Sequence, residues 1–149
     1  MSQNRTRADA GWVNLSQRPK GPNGRGICRW CGQEVPKGRR TFCGDECVHE
    51  WRVRTDPSYV RREVEKRDQE VCGRCGVDTK TIRQERPRNW YCGYHLWEAH
   101  HRVPVSEGGG ECGLEGYETL CLECHRRETA ELAARKAKAR KGSTQEGLL

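Results

Sequence analysis

Large apolar side chains are what this chain has least of. Leucine, isoleucine, valine and phenylalanine fill 21 of its 149 positions, phenylalanine and methionine occur once each, and the mean hydropathy is −1.05. That share, about 14%, lies below the roughly 20% under which a highly charged chain is expected to stay disordered. Apolar burial alone is therefore excluded as the source of a fold. No stretch approaches the ~20 apolar residues of a membrane span, and the amino-terminal MSQNRTRADAGW lacks the apolar region of a secretory signal. The expected compartment is the cytoplasm, or the nucleus in a eukaryotic cell. The length fits one domain or two very small ones, and no internal repeat exceeds the likeness of two short cysteine motifs.

Ten cysteines stand where the core is missing. Eight form four close pairs: Cys28-x2-Cys31, Cys43-x3-Cys47, Cys72-x2-Cys75 and Cys121-x2-Cys124. In a reducing compartment such pairs are thiolate metal ligands rather than disulfides. Tetrahedral zinc takes four sulfurs at about 2.3 Å, and two or three intervening residues let one tight turn offer two of them to the same ion. In CRWCGQ and CGRCGV a glycine follows the second cysteine, where the returning turn needs positive φ. Cys28, Cys31, Cys43 and Cys47 are grouped as one zinc site because only eleven residues part the two pairs. Cys72, Cys75, Cys121 and Cys124 then form the second. A redox Cys-x2-Cys reading lacks the βαβ context it needs. Cys92 and Cys112 remain, and are expected to be free thiols.

These clusters organise the chain. Residues 1–26, basic and rich in Gly, Pro and Asn, are expected to form a disordered arm. Residues 27–54 hold the first zinc module. A linking helix follows over 55–70, capped by Thr55 or Asp56, with Pro57 at its first position and Val60 and Val64 at helical spacing. The second module spans 71–141. Within it Thr81, Ile82, Trp90, Tyr91 and Val103 to Val105 favour short, irregular strands, and CLECHRRETAELAARKAKARKG reads as a helix ending near Gly142. Residues 142–149 are a disordered tail.

The segment WEAHHRVPVSEGGG sets His100 beside His101 between the last two cysteine pairs, and His125 directly follows Cys124. The adjacent histidines are two metal ligands, two unrelated surface groups, or one ligand and one base. Whichever holds, the metal that fixes Cys121 and Cys124 also fixes where His125 begins.

WEAHHRVPVSEGGG followed by YETLCLECHRRET, with Cys72 and Cys75 upstream, resembles the HNH endonucleases of the ββα-metal, or His-Me finger, superfamily over roughly residues 70–129. Upstream, FCGDECVHEWRVRTDPSYVRREVEKRDQEVCGRCG is similar to the segment before the HNH domain of a vertebrate annealing helicase and its bacterial relatives. The resemblance implies a small α+β, zinc-stabilised fold: a ββα-metal domain preceded by a treble-clef-like zinc module and a linking helix. It implies His101 as general base, His100 and His125 as ligands of one catalytic divalent metal (Mg²⁺, Mn²⁺ or Ni²⁺), and DNA as substrate. Two positions depart from the usual pattern. His100 stands where many relatives have aspartate, and Gly116 falls where they have the asparagine that helps hold the loop orienting the base.

Elementary chemistry agrees with that division of labour. Consecutive residues of an extended segment point in different directions. A neutral imidazole with a pKa near 6.5 is available at neutral pH to deprotonate water. A metal with few protein ligands keeps positions for a phosphate oxygen and the leaving oxygen.

The net charge of +7 favours a polyanion partner. Arg126, Arg127, Arg135, Lys136, Lys138, Arg140 and Lys141 crowd the last helix, and RQERPRNWY places arginines next to aromatics. Arg102, Arg126 and Arg127 are the nearest candidates for DNA contact, with little base specificity expected. The alternative is a non-catalytic zinc-finger protein that binds nucleic acid. As a nuclease, so small a chain is expected to serve a larger system, such as phage packaging or restriction.

Overall fold

A computed structural model of the chain describes residues 19–85 and 95–145. Four helices, α1 (Asp45–Thr55), α2 (Pro57–Asp68), α3 (Thr79–Glu85) and α4 (Leu122–Gln145), surround one antiparallel pair of strands, β1 (Trp97–His101) and β2 (Tyr117–Cys121). It is a small α+β fold whose two four-cysteine clusters fit stabilisation by zinc.

The sheet is a divider. Its register pairs Trp97 with Cys121, Ala99 with Thr119, His100 with Glu118 and His101 with Tyr117. Side chains alternate between faces along each strand. One face carries Trp97, Ala99 and Tyr117, which join Val53 of α1 and Val60 and Val64 of α2 in the main apolar cluster. The other face carries Leu120, buried with Cys72 and Cys124 beneath α4. Full burial of a side chain such as Val64 or Leu120 stabilises by about 1.5–3 kcal/mol, and few such residues are present.

Helix α2 begins as its sequence requires. Asp56, not Thr55, is the cap: its carboxylate accepts from the Tyr59 amide at 3.0 Å, with Pro57 in the first turn. The Thr55 hydroxyl instead donates back to the Trp51 carbonyl at 2.8 Å. Gln69, with φ of 54°, ends the helix in the left-handed region.

Several expectations change. Helix α1 precedes the linking helix as a separate element inside the span assigned to the first zinc module, and its buried residues, Trp51 and Val53, do not follow a helical stripe. Thr81 and Ile82 lie in α3, not in a strand. Asp78 accepts from the Lys80 and Thr81 amides at 2.9 and 3.1 Å and from the Thr81 hydroxyl at 2.8 Å, and this capping outweighs β-propensity. Val103 to Val105 is not a strand either: the Pro104 carbonyl accepts from the amides of Glu107 and Gly109 at 2.8 and 3.0 Å, which turns the chain and leaves both valines exposed. Helix α4 continues past Gly142 to Gln145.

Residues 19–26, assigned to the disordered arm, are folded onto the first module. Glu34 accepts from the Asn23 amide at 3.0 Å, the Asn23 side chain at 2.7 Å and the Arg25 amide at 2.8 Å. The rest of the arm, the end of the tail, and Trp90, Tyr91 and Cys92 lie outside the described residues.

Candidate active site and metal centres

The sulfurs of Cys28, Cys31, Cys43 and Cys47 lie within 4.8 Å of one another, and so do those of Cys72, Cys75, Cys121 and Cys124. Bonds of about 2.3 Å to one tetrahedral ion set sulfurs about 3.8 Å apart. The observed separations are 3.5 Å for Cys31 to Cys43 and 3.8 Å for Cys75 to Cys121. Two of the three Cys-x2-Cys turns are closed by a glycine amide, Gly32 to the Cys28 carbonyl at 3.1 Å and Gly76 to the Cys72 carbonyl at 2.9 Å. Those glycines have φ of 74° and 72°, the conformation their places in CRWCGQ and CGRCGV predict.

The thiols are electrostatically unlike within each set. Burial acts to raise Cys28, but amides of Cys31, Cys43 and Trp30 aimed at its sulfur bring it down to about 6. Cys72 is likewise lowered to about 6, burial being outweighed by the amides of Cys121, Cys75 and Arg74. Cys43 is pushed up to about 12 by hydrogen bonding to Cys31, and Cys124 to about 12 by burial and then by Cys121. A second thiolate is thus resisted by the first, and a divalent cation among the four sulfurs removes that resistance. The donor set and spacing fit zinc in both places.

The second cluster sets the histidines. His125 follows Cys124 on the first turns of α4, and its ring centroid lies 5.4 Å from that of His100, edge to face. His101, one residue along β1, faces the opposite side of the sheet, where its ring lies 4.4 Å from Tyr117. The adjacent histidines are therefore separated by strand alternation. His100 and His125 converge, and among the described residues no third His, Cys, Asp or Glu joins them at ligand spacing. Burial holds both His100 and His101 below the ordinary histidine range, and the charge on His125 adds to the effect at His100. Both are thus neutral at physiological pH, the form needed for ligand or base.

Buried Glu118, which motif reading passed over, lies across the sheet from His100. It accepts from Arg74, within the second knuckle, at 2.9 Å, and Arg102 approaches its other oxygen at 3.8 Å. The one signal for it was its place in YETL, an alternating segment with a carboxylate between two inward residues. At Gly116 a β-carbon would stand 2.5 Å from both Cβ and Sγ of Cys112, so the asparagine of the family pattern has no room here. The Gly116 carbonyl accepts from the Arg102 amide at 2.8 Å instead.

The three arginines chosen for DNA contact differ. Arg102 reaches the Tyr117 carbonyl at 3.3 Å, Arg127 donates to the Cys124 sulfur at 3.5 Å, and Arg126 is exposed on α4. A cavity of about 330 Å³ beside α2, lined by Arg62, Glu65, Lys66, Gln69, Glu70 and Lys80, shares no residue with the histidines. A strand of polyanion requires an open surface rather than such a pocket, so the chemistry of the side chains locates the site. No described helix is long and apolar enough to cross a membrane.

Residues 71–131 match the family described as HNH endonuclease. Among curated proteins, the DNA annealing helicase and endonuclease ZRANB3 of Mus musculus is 27% identical over 154 residues, taking in 79% of this chain and 14% of the relative. Its Homo sapiens counterpart is 27% identical over 129 residues, 68% of this chain and 12% of the relative. The chain thus spans only a small part of the length of the relatives it matches. No solved structure matches it.

Proposed function

We propose that this chain, which carries an HNH endonuclease domain at residues 71–131, hydrolyses phosphodiester bonds of DNA with His101 as general base. The observation that carries the proposal is the division of the histidines by the sheet, His100 with His125 on one face and His101 on the other. His100 and His125 would hold a divalent ion, which would supply Lewis-acid stabilisation of charge on the phosphate and leaving oxygen. The chain's own residues do the rest. His101, neutral because burial lowers its pKa, takes a proton from water at the end of β1. Glu118, buried across from His100, balances positive charge on that face. Arg126 and the lysines of α4 supply attraction for the phosphate backbone.

Both four-cysteine clusters bind structural zinc in this reading, the second fixing His125 through Cys124. The domains divide as a zinc module to about residue 54, the α2 linker and the nuclease from residue 71. Thiolate zinc sites suit the reducing cytoplasm, or the nucleus in a eukaryotic host.

The test is cleavage of supercoiled plasmid with Mg²⁺, Mn²⁺ or Ni²⁺, comparing wild type with His101→Ala. Nicking by wild type alone, with both proteins binding DNA equally, is the expected result. Binding by both with cutting by neither returns the chain to the non-catalytic DNA-binding alternative.

A further inference from the structure

Tyr117 opens β2 opposite His101, the last residue of β1. Its ring centroid lies 4.4 Å from that of the imidazole, with the planes inclined by 46°. Among the described residues no hydrogen bond is made to the His101 ring, and the Tyr117 ring is the aromatic surface it packs against. What lies behind Tyr117 therefore bears on the chemistry in front of it.

That backing is closely fitted. Tyr117 is 8% exposed and belongs to the cluster of Val53, Val60, Val64 and Trp97, against which Cys112 and Leu114 also pack. The Cys112 thiol interacts with the Tyr117 hydroxyl. Cys112 in turn occupies the space over Gly116, where any β-carbon would meet its Cβ and Sγ at 2.5 Å. The Gly116 carbonyl accepts from the Arg102 amide at 2.8 Å, joining the peptide just after His101 to the peptide just before Tyr117. The absence of a side chain at 116, the thiol at 112 and the phenol at 117 are one arrangement.

We propose that Tyr117, backed by Cys112 over Gly116, is the positioning residue for His101, its ring fixing the direction from which the imidazole addresses water. The inference rests on the reading of His101 as the base. Orientation on this scale matters for rate: misplacement of a reacting group by about 1 Å can cost roughly 10²-fold. The ring is the working part, and the hydroxyl and thiol keep the ring in place.

Single-turnover cleavage with Mn²⁺, normalised to folded protein, tests this, with DNA affinity and the Mn²⁺ concentration for half-maximal rate measured alongside. Tyr117→Leu is expected to lower the rate by about 10²-fold with both affinities unchanged, and Tyr117→Phe to recover most of the loss. Cys112→Ala and Gly116→Ala are expected to give smaller, similar losses, and Cys112→Ser to behave better than Cys112→Ala. Histidine-ring ¹H–¹⁵N spectra provide a readout independent of cleavage: Cys112→Ala, which keeps the Tyr117 ring, should move the His101 signals and leave those of His100 and His125 in place. Equal losses in Tyr117→Leu and Tyr117→Phe, or a lowered melting temperature with an undiminished rate, overturn the proposal. Unmoved His101 signals in Cys112→Ala overturn it even if Tyr117→Leu unfolds. A wild-type protein that cuts with none of the three metals overturns the reading of His101 as a base, a result the ring spectra do not depend on.

Discussion

The two four-cysteine modules have nearly the same sulfur geometry and different surroundings. Around the first, aromatic rings meet arginines: the Arg29 guanidinium lies 4.4 Å from the Trp51 ring and that of Arg54 4.4 Å from Trp30. Around the second stand His100, His125 and the ion pair of Arg74 with Glu118. The first joins the HNH domain through α1, whose Val53 enters the cluster that holds Tyr117. The same four-cysteine frame thus stands beside stacked arginines and aromatics in one place and beside a pair of histidines in the other. In a chain with so few apolar residues, thiolate clusters take over the task of a core and leave the intervening segments free to differ.

Removing metal from both modules is the largest perturbation. Structural zinc contributes on the order of 10–16 kcal/mol of apparent binding energy in small zinc domains, so chelation is expected to abolish the helical circular dichroism signal. Elemental analysis of folded protein should find about two zincs per chain. A folded, zinc-free, disulfide-bonded protein breaks the comparison at its base.

Single substitutions then separate the modules. Cys121→Ser is expected to abolish measurable cleavage, because the same cluster fixes the start of α4 and with it His125. Cys43→Ser should lower the melting temperature while the remaining folded protein still cuts. Equal loss of cleavage per folded molecule shows instead that the first module shares in the chemistry.

Within the second module, His101→Ala is expected to slow cleavage by roughly 10²–10⁴-fold with the metal requirement little changed. His100→Ala and His125→Ala should raise that requirement, with high Mn²⁺ recovering part of the rate. Rescue of His101→Ala by metal, without rescue of His125→Ala, exchanges the roles.

A smaller effect concerns pH. Since burial lowers the folded pKa of His100 and His101, cleavage should rise with pH through a value below about 6.5 and level off above it. The folded state binds fewer protons at these sites than the unfolded chain, so their contribution to stability is present above about pH 6.5 and is lost as pH falls through the lowered values. A cleavage limb centred above neutrality contradicts the neutral-histidine assignment. The smallest effect lies between the modules: Asp56→Ala, which removes the α2 cap, should cost about 1 kcal/mol in denaturant unfolding and leave cleavage per folded molecule unchanged.

Much of this was legible because cysteine spacing is a strong local signal. The grouping into 28, 31, 43, 47 and 72, 75, 121, 124 is the grouping of sulfurs in space. The cap and valine spacing of α2 were legible for a similar reason, a few side chains dictating one geometry. Helix α1 was not, because it buries Trp51 and Val53, two residues apart, against different neighbours. Val103 and Val105 drew the strand assignment by their branching, yet Pro104 turns the chain there. Strand β1 lies earlier because Trp97 and Ala99 meet α1 and α2, a tertiary fact. Glu118 and Cys112 were hidden for the same reason: each acquires meaning only from the residue facing it.

The alternation of β1 has a consequence for how this domain tolerates change. The proposed ligand, His100, and the proposed base, His101, are separated by parity, odd positions to one face and even to the other, and register with β2 fixes which is which. A substitution alters one role and leaves its neighbour's untouched. Deleting a single residue between Trp97 and His100 moves every later position of the strand to the other side, presenting His101 to His125 and Arg102 to Tyr117. Lineages of this domain should therefore vary freely in residue type along the strand while keeping its length, with insertions confined to the turn between Val103 and Cys112.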